Sequence, residues 1–327
     1  MIVALLTTRL NKLTDETIEM RNTCKMQRGD TIIVIRQDNK PSGTSYPTRM
    51  HTLAGAGQGI HSEQPMLTLK VGSHLDPGIR RKHRPNEDTL LVIQGIVPSA
   101  PPSTLPKPFA LLVVADGMGG QAHGQEASRL AVQSLAEYVS GSFSSQQMKP
   151  EVFLPLLTAA VQNANQSVYQ QNREQRDHMG TTMTAALVMD TTAYVAHVGD
   201  SRLYLYRQPT GLAQITRDHS AVATLVAAGV IKSEDIYTHP MRNRIYRSLG
   251  DKATVEVDGS AVPLTAGDLL LLCSDGLWEM VRDQQIAAIL TTPRSHPSKT
   301  AHALVQAALA GGGEDNVSVI VAQVSKV

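Results

Sequence analysis

The order of the apolar segments predicts an α+β fold: a central β-sandwich of two antiparallel sheets flanked by helices on both sides, four layers in the order αββα. Three observations lead there. Strand-like runs at 89–97 (TLLVIQGIV) and 109–116 (FALLVVAD) follow one another with no helix between them, which favours antiparallel pairing over a βαβ crossover. Further strand-like runs succeed one another within 181–217 across short turns. Two consecutive helical patterns, 125–139 and 151–171, interrupt the strands instead of alternating with them.

Residues 1–66 differ in composition from the remainder. The run GDTIIVIR (29–36) predicts one strand, but 37–65 are rich in Gly, Ser, Thr, Pro, His and Gln. Such a stretch buries too little apolar area to offset its ordering entropy. Residues 1–66 therefore read as a flexible or poorly structured N-terminal extension, with at most a small local hairpin, and 67–327 as the folded domain. The glycines of Gly55-Ala56-Gly57-Gln58-Gly59 follow no strand and open no periodic helix, so a nucleotide loop is rejected.

From Leu67 the pattern tightens. LTLKVGS alternates as a strand, and PSAPPSTLPKP (98–108) carries five prolines and reads as an exposed loop before the strand that ends in Asp116. In the first helix Ala127, Leu130, Ala131, Leu135 and Tyr138 share one face; in the second, Phe153, Leu156, Leu157, Ala160, Val161, Ala164 and Val168 do so more strongly. These stripes face a core, and so does Trp278. Residues 219–249 hold a short helix (AVATLVAAG) and an irregular basic segment containing Arg242, Asn243 and Arg244. Strands at about 254–260 and 268–274 precede a short helix around Trp278 and another at 283–290. The last helix, 298–310, starts at Ser298 as its cap and ends at Gly311, before a closing strand at 317–324.

Composition narrows the function. Apolar residues make up 42% and charged residues 18%, as in ordinary globular proteins. A formal net charge of +1 gives no general drive toward nucleic acid or acidic membranes, and 4% aromatic content argues against base-stacking platforms. No apolar run is long enough to span a bilayer. The N-terminus MIVALLTTRL lacks a basic start and a cleavage pattern. Cys24 and Cys273 show no metal-ligand spacing, and a buried thiol at Cys273 suits a reducing cytoplasm.

The chemistry lies in acids at strand ends. FALLVVADGMGG runs apolar into Asp116, then at once into Gly117, Gly119 and Gly120. A carboxylate at the end of a buried strand needs a positive partner, and glycines let backbone carbonyls approach closely. A hard cation satisfies both, because it takes carboxylate and carbonyl oxygen together. An Asp-Gly hairpin turn is the plain alternative for this stretch alone. The pattern recurs, however, at Asn86-Glu87-Asp88, Gly199-Asp200, Asp275-Gly276 and Glu314-Asp315-Asn316, each at a strand end. Five hairpin turns would not require an acid at every one, so the set reads as a metal site.

The ordered motifs NED (86–88), DGMGG (116–120), MGTTMTAALV (179–188), HVGDSRLYLYR (197–207), TRDHS (216–220), SLG (248–250), LLLLCSDGLWEMV (269–281) and EDNVSVIV (314–321) resemble the metal-dependent protein phosphatases, the type 2C serine/threonine family, in its bacterial branch. Each motif alone is weak, but eight in order across about 67–327 are specific. The resemblance implies the sandwich fold and hydrolysis of phosphoserine and phosphothreonine by direct attack of a water bridging two divalent cations, Mg2+ or Mn2+, with a third, weaker ion besides. It implies that Asp116 bridges the cations, that the Gly117 carbonyl and Glu87 serve the second, and that Asp275 and Asp315 complete the first. Asp200 matches the third-ion position, although it can equally cap a tight turn. Asp88 and Asn316 match residues that orient ligands.

Three features depart from the family pattern. The basic run Arg80-Arg81-Lys82-His83-Arg84 leaves Arg81 and Arg84 as rival phosphate-binding residues, because the loop carries an insertion; a solvated loop is the plain alternative. Met118 stands where animal members often carry a histidine proposed as general acid, so the leaving-group proton would come from water or another residue. The N-terminal extension and the proline-rich loop match nothing in the pattern. His197 reads as a hydrogen-bonded core residue and His123 as solvated, while Arg242, Asn243 and Arg244 lie in the family's variable flap and are candidates for substrate choice. The expected partners are a phosphoprotein substrate and a bacterial-type serine/threonine kinase or its targets, with no nucleic acid, for a monomer in the cytoplasm. Rival readings are an idle relative that binds phosphoproteins without turnover, and a hydrolase of a small phosphoester.

Overall fold

A computed structural model describes residues 31–36, 67–97, 107–119, 122–143, 149–175, 178–292 and 296–326. The rest of the predicted N-terminal extension, with Cys24, and most of the proline-rich loop lie outside the described residues. The first sheet runs in the order β1 (Thr31–Arg36), β3 (Asp88–Val97), β4 (Lys107–Met118), β6 (Met183–Met189), β7 (Thr192–Val198), β10 (Asp258–Pro263), with the short β5 (Gly180–Thr181) paired to the end of β4. The second sheet runs β2 (Leu67–Asp76), β12 (Val317–Lys326), β11 (Leu269–Cys273), β8 (Arg202–Arg207), β9 (Gly211–Gln214). Every pair is antiparallel except β1 with β3, whose partners run parallel from Thr31↔Thr89 to Arg36↔Gln94. The strand expected within 29–36 thus joins the edge of the first sheet rather than a local hairpin.

Strand alternation builds the layers. In β3 and β4, Leu90, Val92, Leu112 and Val114 face the second sheet and meet Leu270, Leu272, Ile320 and Ala322. Their neighbours Leu91, Ile93, Leu111 and Val113 face outward against α1 (Ala122–Phe143) and α2 (Pro150–Gln175). On the far side Leu271, Cys273, Val319 and Val321 meet Trp278, Ile286 and Leu304. These last residues belong to α4 (Asp275–Trp278), α5 (Asp283–Leu290) and α6 (Pro297–Ala310). Helices, sheet, sheet and helices therefore stack in the predicted order. Among the described residues no helix is long and apolar enough to cross a membrane.

Local details differ from expectation: the strand expected at about 254–260 is β10, Asp258–Pro263. The cap of α6 is His296, whose side chain accepts from the Ser298 amide, with Pro297 in the first turn. Proline there loses nothing, since its missing N–H would have no helical partner. Residues 219–249 contain a short helix, α3 (Ala221–Ala227), capped by Ser220, and also a 3-10 turn, Ser233–Tyr237.

Candidate metal centre

Register brings the acids together at one end of the sandwich. Asp88 opens β3 directly opposite Asp116 near the end of β4. In the second sheet, Cys273 pairs with Val319 and Val317 with Asp76, so Ser274-Asp275 and Asp315-Asn316 reach the same end. The turn Gly199-Asp200-Ser201 carries the chain from β7 in one sheet to β8 in the other. Its glycine has φ +110° and a Cβ there would lie 2.6 Å from the Thr182 side chain, so the crossover is tight.

The backbone around Asp116 is fixed by two threonines. Its amide donates to Thr182 Oγ1 at 2.9 Å, and its carbonyl accepts from Thr181 Oγ1 at 2.9 Å and from the Thr182 amide at 2.8 Å. Asp88 is fully buried, and its Oδ2 accepts from Ser274 Oγ at 2.8 Å and Ser318 Oγ at 2.6 Å. Asn316 Oδ1 accepts from the Glu87 amide at 2.9 Å, while its Nδ2 donates to the Pro77 carbonyl at 2.9 Å. Both sheets are thereby stitched together beneath the acids.

Electrostatics show how closely the acids gather. Burial, then the charges of Asp88, Asp275, Asp315 and Asp200, push the Asp116 carboxyl well above its usual range. Asp200 is pushed the same way, by burial and then by Asp275. Burial also raises Asp88, Asp275 and Asp315, with Asp315 adding to Asp88 and Asp275 adding to Asp315. Like charges sharing a desolvated site cannot all ionise without a counter-charge.

Part of that counter-charge comes from Arg81. Its Nη1 lies 2.9 Å from Glu87 Oε2 and 2.8 Å from Asp315 Oδ1. Arg84 is exposed and reaches Glu87 only as a nearby charge. The two rivals are thus separated by position: Arg81 enters the corner and Arg84 borders it. The loop is anchored just before Arg81, where the Arg80 amide donates to the Gly313 carbonyl at 3.1 Å.

The sequence reading missed Glu279. Its amide donates to the Asp275 carbonyl at 2.9 Å, one helical turn on, and its charge contributes to raising both Asp275 and Asp200. The signal was the i, i+4 spacing after Asp275, which puts both acids on one face of a helical turn. Arg242 ties the flap to this corner, 3.7 Å from Glu279 and 3.6 Å from Glu314. Asn243 and Arg244 are exposed. His123 is exposed too. His197 is buried, with Nδ1 2.9 Å from Thr184 Oγ1 and Nε2 3.1 Å from the Arg217 carbonyl.

The donor set fits hard divalent cations. Three buried carboxylate oxygens, Glu87 Oε1, Asp88 Oδ1 and Asp275 Oδ1, have no hydrogen-bond partner within the described residues. Buried acceptors of this kind are costly unless a cation answers them. All the candidate ligands are oxygen, which suits magnesium or manganese and not zinc or copper. Among the described residues no three acid, imidazole or thiol side chains stand close enough to hold an ion as they are. Glu87 and Asp315 instead share the Arg81 guanidinium, so seating a cation there requires their side chains to turn away from it.

Known proteins carry the same plan. The family model for protein phosphatase 2C matches residues 103–311. The serine/threonine phosphatase stp of Listeria welshimeri is 38% identical over 215 residues, covering 65% of this chain and 84% of the relative. The crystal structure of the Mycobacterium tuberculosis serine/threonine phosphatase PstP/Ppp superposes with a TM-score of 0.65 at 37% identity, covering 78% of this chain and 98% of that one. The PstP catalytic domain in complex with two manganese ions does so with a TM-score of 0.65 at 36% identity, covering 80% and 100%. Sequence, fold and the acidic corner agree, and the chain belongs to the protein phosphatase 2C family, in its bacterial branch.

Proposed function

We propose that this chain is a metal-dependent protein serine/threonine phosphatase. Its carboxylates Asp116, Asp275, Asp315 and Glu87, with the Gly117 carbonyl, hold two divalent cations, magnesium or manganese. When bound, such cations acidify a water for attack on phosphorus and neutralise charge on the phosphoryl oxygens. Arg81 grips the phosphate, because its planar fork can bind two oxygens at once and it already stands between Glu87 and Asp315. Arg84, exposed beside it, supplies longer-range attraction. Asp88, held by Ser274 and Ser318, and Asn316, which fixes the Glu87 backbone, orient the ligands. Asp200 and Glu279, both electrostatically linked to Asp275, hold a third and weaker ion. Met118 can donate no proton, so water or another residue protonates the leaving alkoxide.

The observation that carries this reading is the set of three partnerless buried carboxylate oxygens at the corner. The substrate is a phosphoprotein modified by a bacterial-type kinase, and the enzyme works as a monomer in the cytoplasm. Residues 67–327 form the catalytic domain, and β1, Thr31–Arg36 within the N-terminal extension, adds to the edge of its first sheet. The test is phosphate release from a phosphothreonine peptide with manganese, with magnesium and with chelator, for the protein and for Asp275→Asn. Release is expected only with metal, and about 100-fold or more slower in the variant, as for loss of a charge-stabilising group. Metal-independent release, or none from folded protein under any metal, would overturn the reading.

A further inference from the structure

Next to the acidic corner lies a cavity of about 700 Å3, within the range of ligand sites. Its walls come from four stretches: Met118 at the end of β4, Tyr169 and Arg173 in the last turns of α2, Met179 with Gly180 at the start of β5, and Ile245 with Tyr246 near the end of the flap. Met118 stands two residues beyond Asp116 in the same strand, hence on the same face and about 7 Å along. In an extended substrate whose phosphorylated residue sits at Asp116, a neighbour one or two positions away reaches this cavity.

The walls are pre-formed. Asn172 Nδ2 donates to the carbonyls of Met179 at 2.7 Å and Gly250 at 3.0 Å, and its Oδ1 accepts from the Met179 amide at 3.0 Å. Thr181 and Leu249 exchange backbone hydrogen bonds of 3.2 and 2.9 Å. One side chain thus clamps the end of α2, the start of β5 and the segment after the flap into a fixed frame.

The lining carries charges of both signs, Arg173 and Asp251, so neither a basic nor an acidic guest is singled out over an apolar one. Arg247 is already answered by Glu256 at 2.7 Å and Asp258 at 2.8 Å, so it is no free anion receptor. Arg173, in the last turn of α2, is exposed, and the exposed carboxylate of Asp251 lines the same cavity. Tyr246, by contrast, is 53% exposed, one of five large apolar side chains left in water among the described residues. Met118, Ile245 and Tyr169 extend that apolar surface, and thioethers adapt readily to varied guests.

We propose that this cavity receives the side chain one or two positions from the phosphorylated residue of the substrate and selects a large apolar or aromatic one. The inference rests on the phosphatase reading above and names part of its substrate class. The test is kcat/KM with manganese for phosphothreonine peptides carrying Phe, Ala, Glu or Lys at each flanking position. Each value is divided by that of the same protein on p-nitrophenyl phosphate, which has no flanking residue. At one position the Phe peptide is expected to exceed the Ala peptide about tenfold. That ratio should fall toward one in Tyr246→Ala and persist in Tyr246→Phe. Equal values for all four peptides, a preference for Glu or for Lys, or a Phe preference unchanged in Tyr246→Ala would overturn it. No turnover of any substrate, p-nitrophenyl phosphate included, would overturn the phosphatase reading itself and this inference with it.

Discussion

Arg81 and Arg84 are three residues apart, yet only Arg81 places its guanidinium between two carboxylates of the corner. Hydrogen bonds to charged groups contribute about 1.5–3 kcal/mol, or roughly 10- to 100-fold in a rate or binding constant. Arg81→Ala is therefore expected to lower kcat/KM on a phosphopeptide by about 10- to 100-fold, mainly through KM, and Arg84→Ala by much less. Steady-state kinetics of both variants check this. His197 governs a different property. Burial, then the charge of His219, lowers its pKa from 6.5 to about 3, against a small opposing pull from Asp258. Below the unfolded value the unfolded chain binds a proton that the folded chain refuses, so this histidine erodes stability as pH falls from about 6.5 toward 3. His197→Gln should lose less stability per pH unit across that window, as urea unfolding at several pH values will measure.

At the scale of elements, close backbone approaches decide which strand ends can meet. A Cβ at Gly72, in the middle of β2, would lie 2.0 Å from the Ser298 amide nitrogen at the start of α6. Overpacking of this kind costs about 1–3 kcal/mol or more, roughly 2–12 °C in melting temperature for a domain of this size. Gly72→Ala should therefore melt lower while its folded fraction keeps its activity, since the clash is with α6 and not with the corner. Gly78 is the counterpart at the site. It has φ +78°, and a Cβ there would lie 2.1 Å from the Asp315 carbonyl. Gly78→Ala is expected to lose activity along with stability because it displaces a candidate ligand. Thermal melts and assays on the two variants side by side separate the effects.

For the whole molecule, the acids at one end of the sandwich are a cost of folding that cations relieve. Ligands that bind only the native state stabilise it by about 2.7 kcal/mol at 100 times Kd. For a chain of this size that is roughly 5–11 °C. Manganese should raise the melting temperature by about this amount, chelator should reverse the shift, and Asp275→Asn should respond far less. A melting temperature indifferent to manganese would contradict a site built from Asp116, Asp275 and Asp315.

The sequence by itself determined the layers and the acid set. The continuous apolar runs FALLVVA and LLLLC read as strands buried on both faces, and the apolar stripes at 125–139 and 151–171 name the helices that cover them. Glu87, Asp88, Asp116, Asp275 and Asp315 stood out as acids at strand ends, while the roles given to them and to Asn316 came from the resemblance of the ordered motifs. Only the tertiary structure put Arg81, and not Arg84, between Glu87 and Asp315, brought Glu279 and Arg242 to the corner, seated β1 parallel on β3 and moved the α6 cap to His296. These outcomes depend on where loops and sheet edges come to rest. Chain periodicity fixes which way a side chain faces within its own element, while contacts between elements fix which side chains meet.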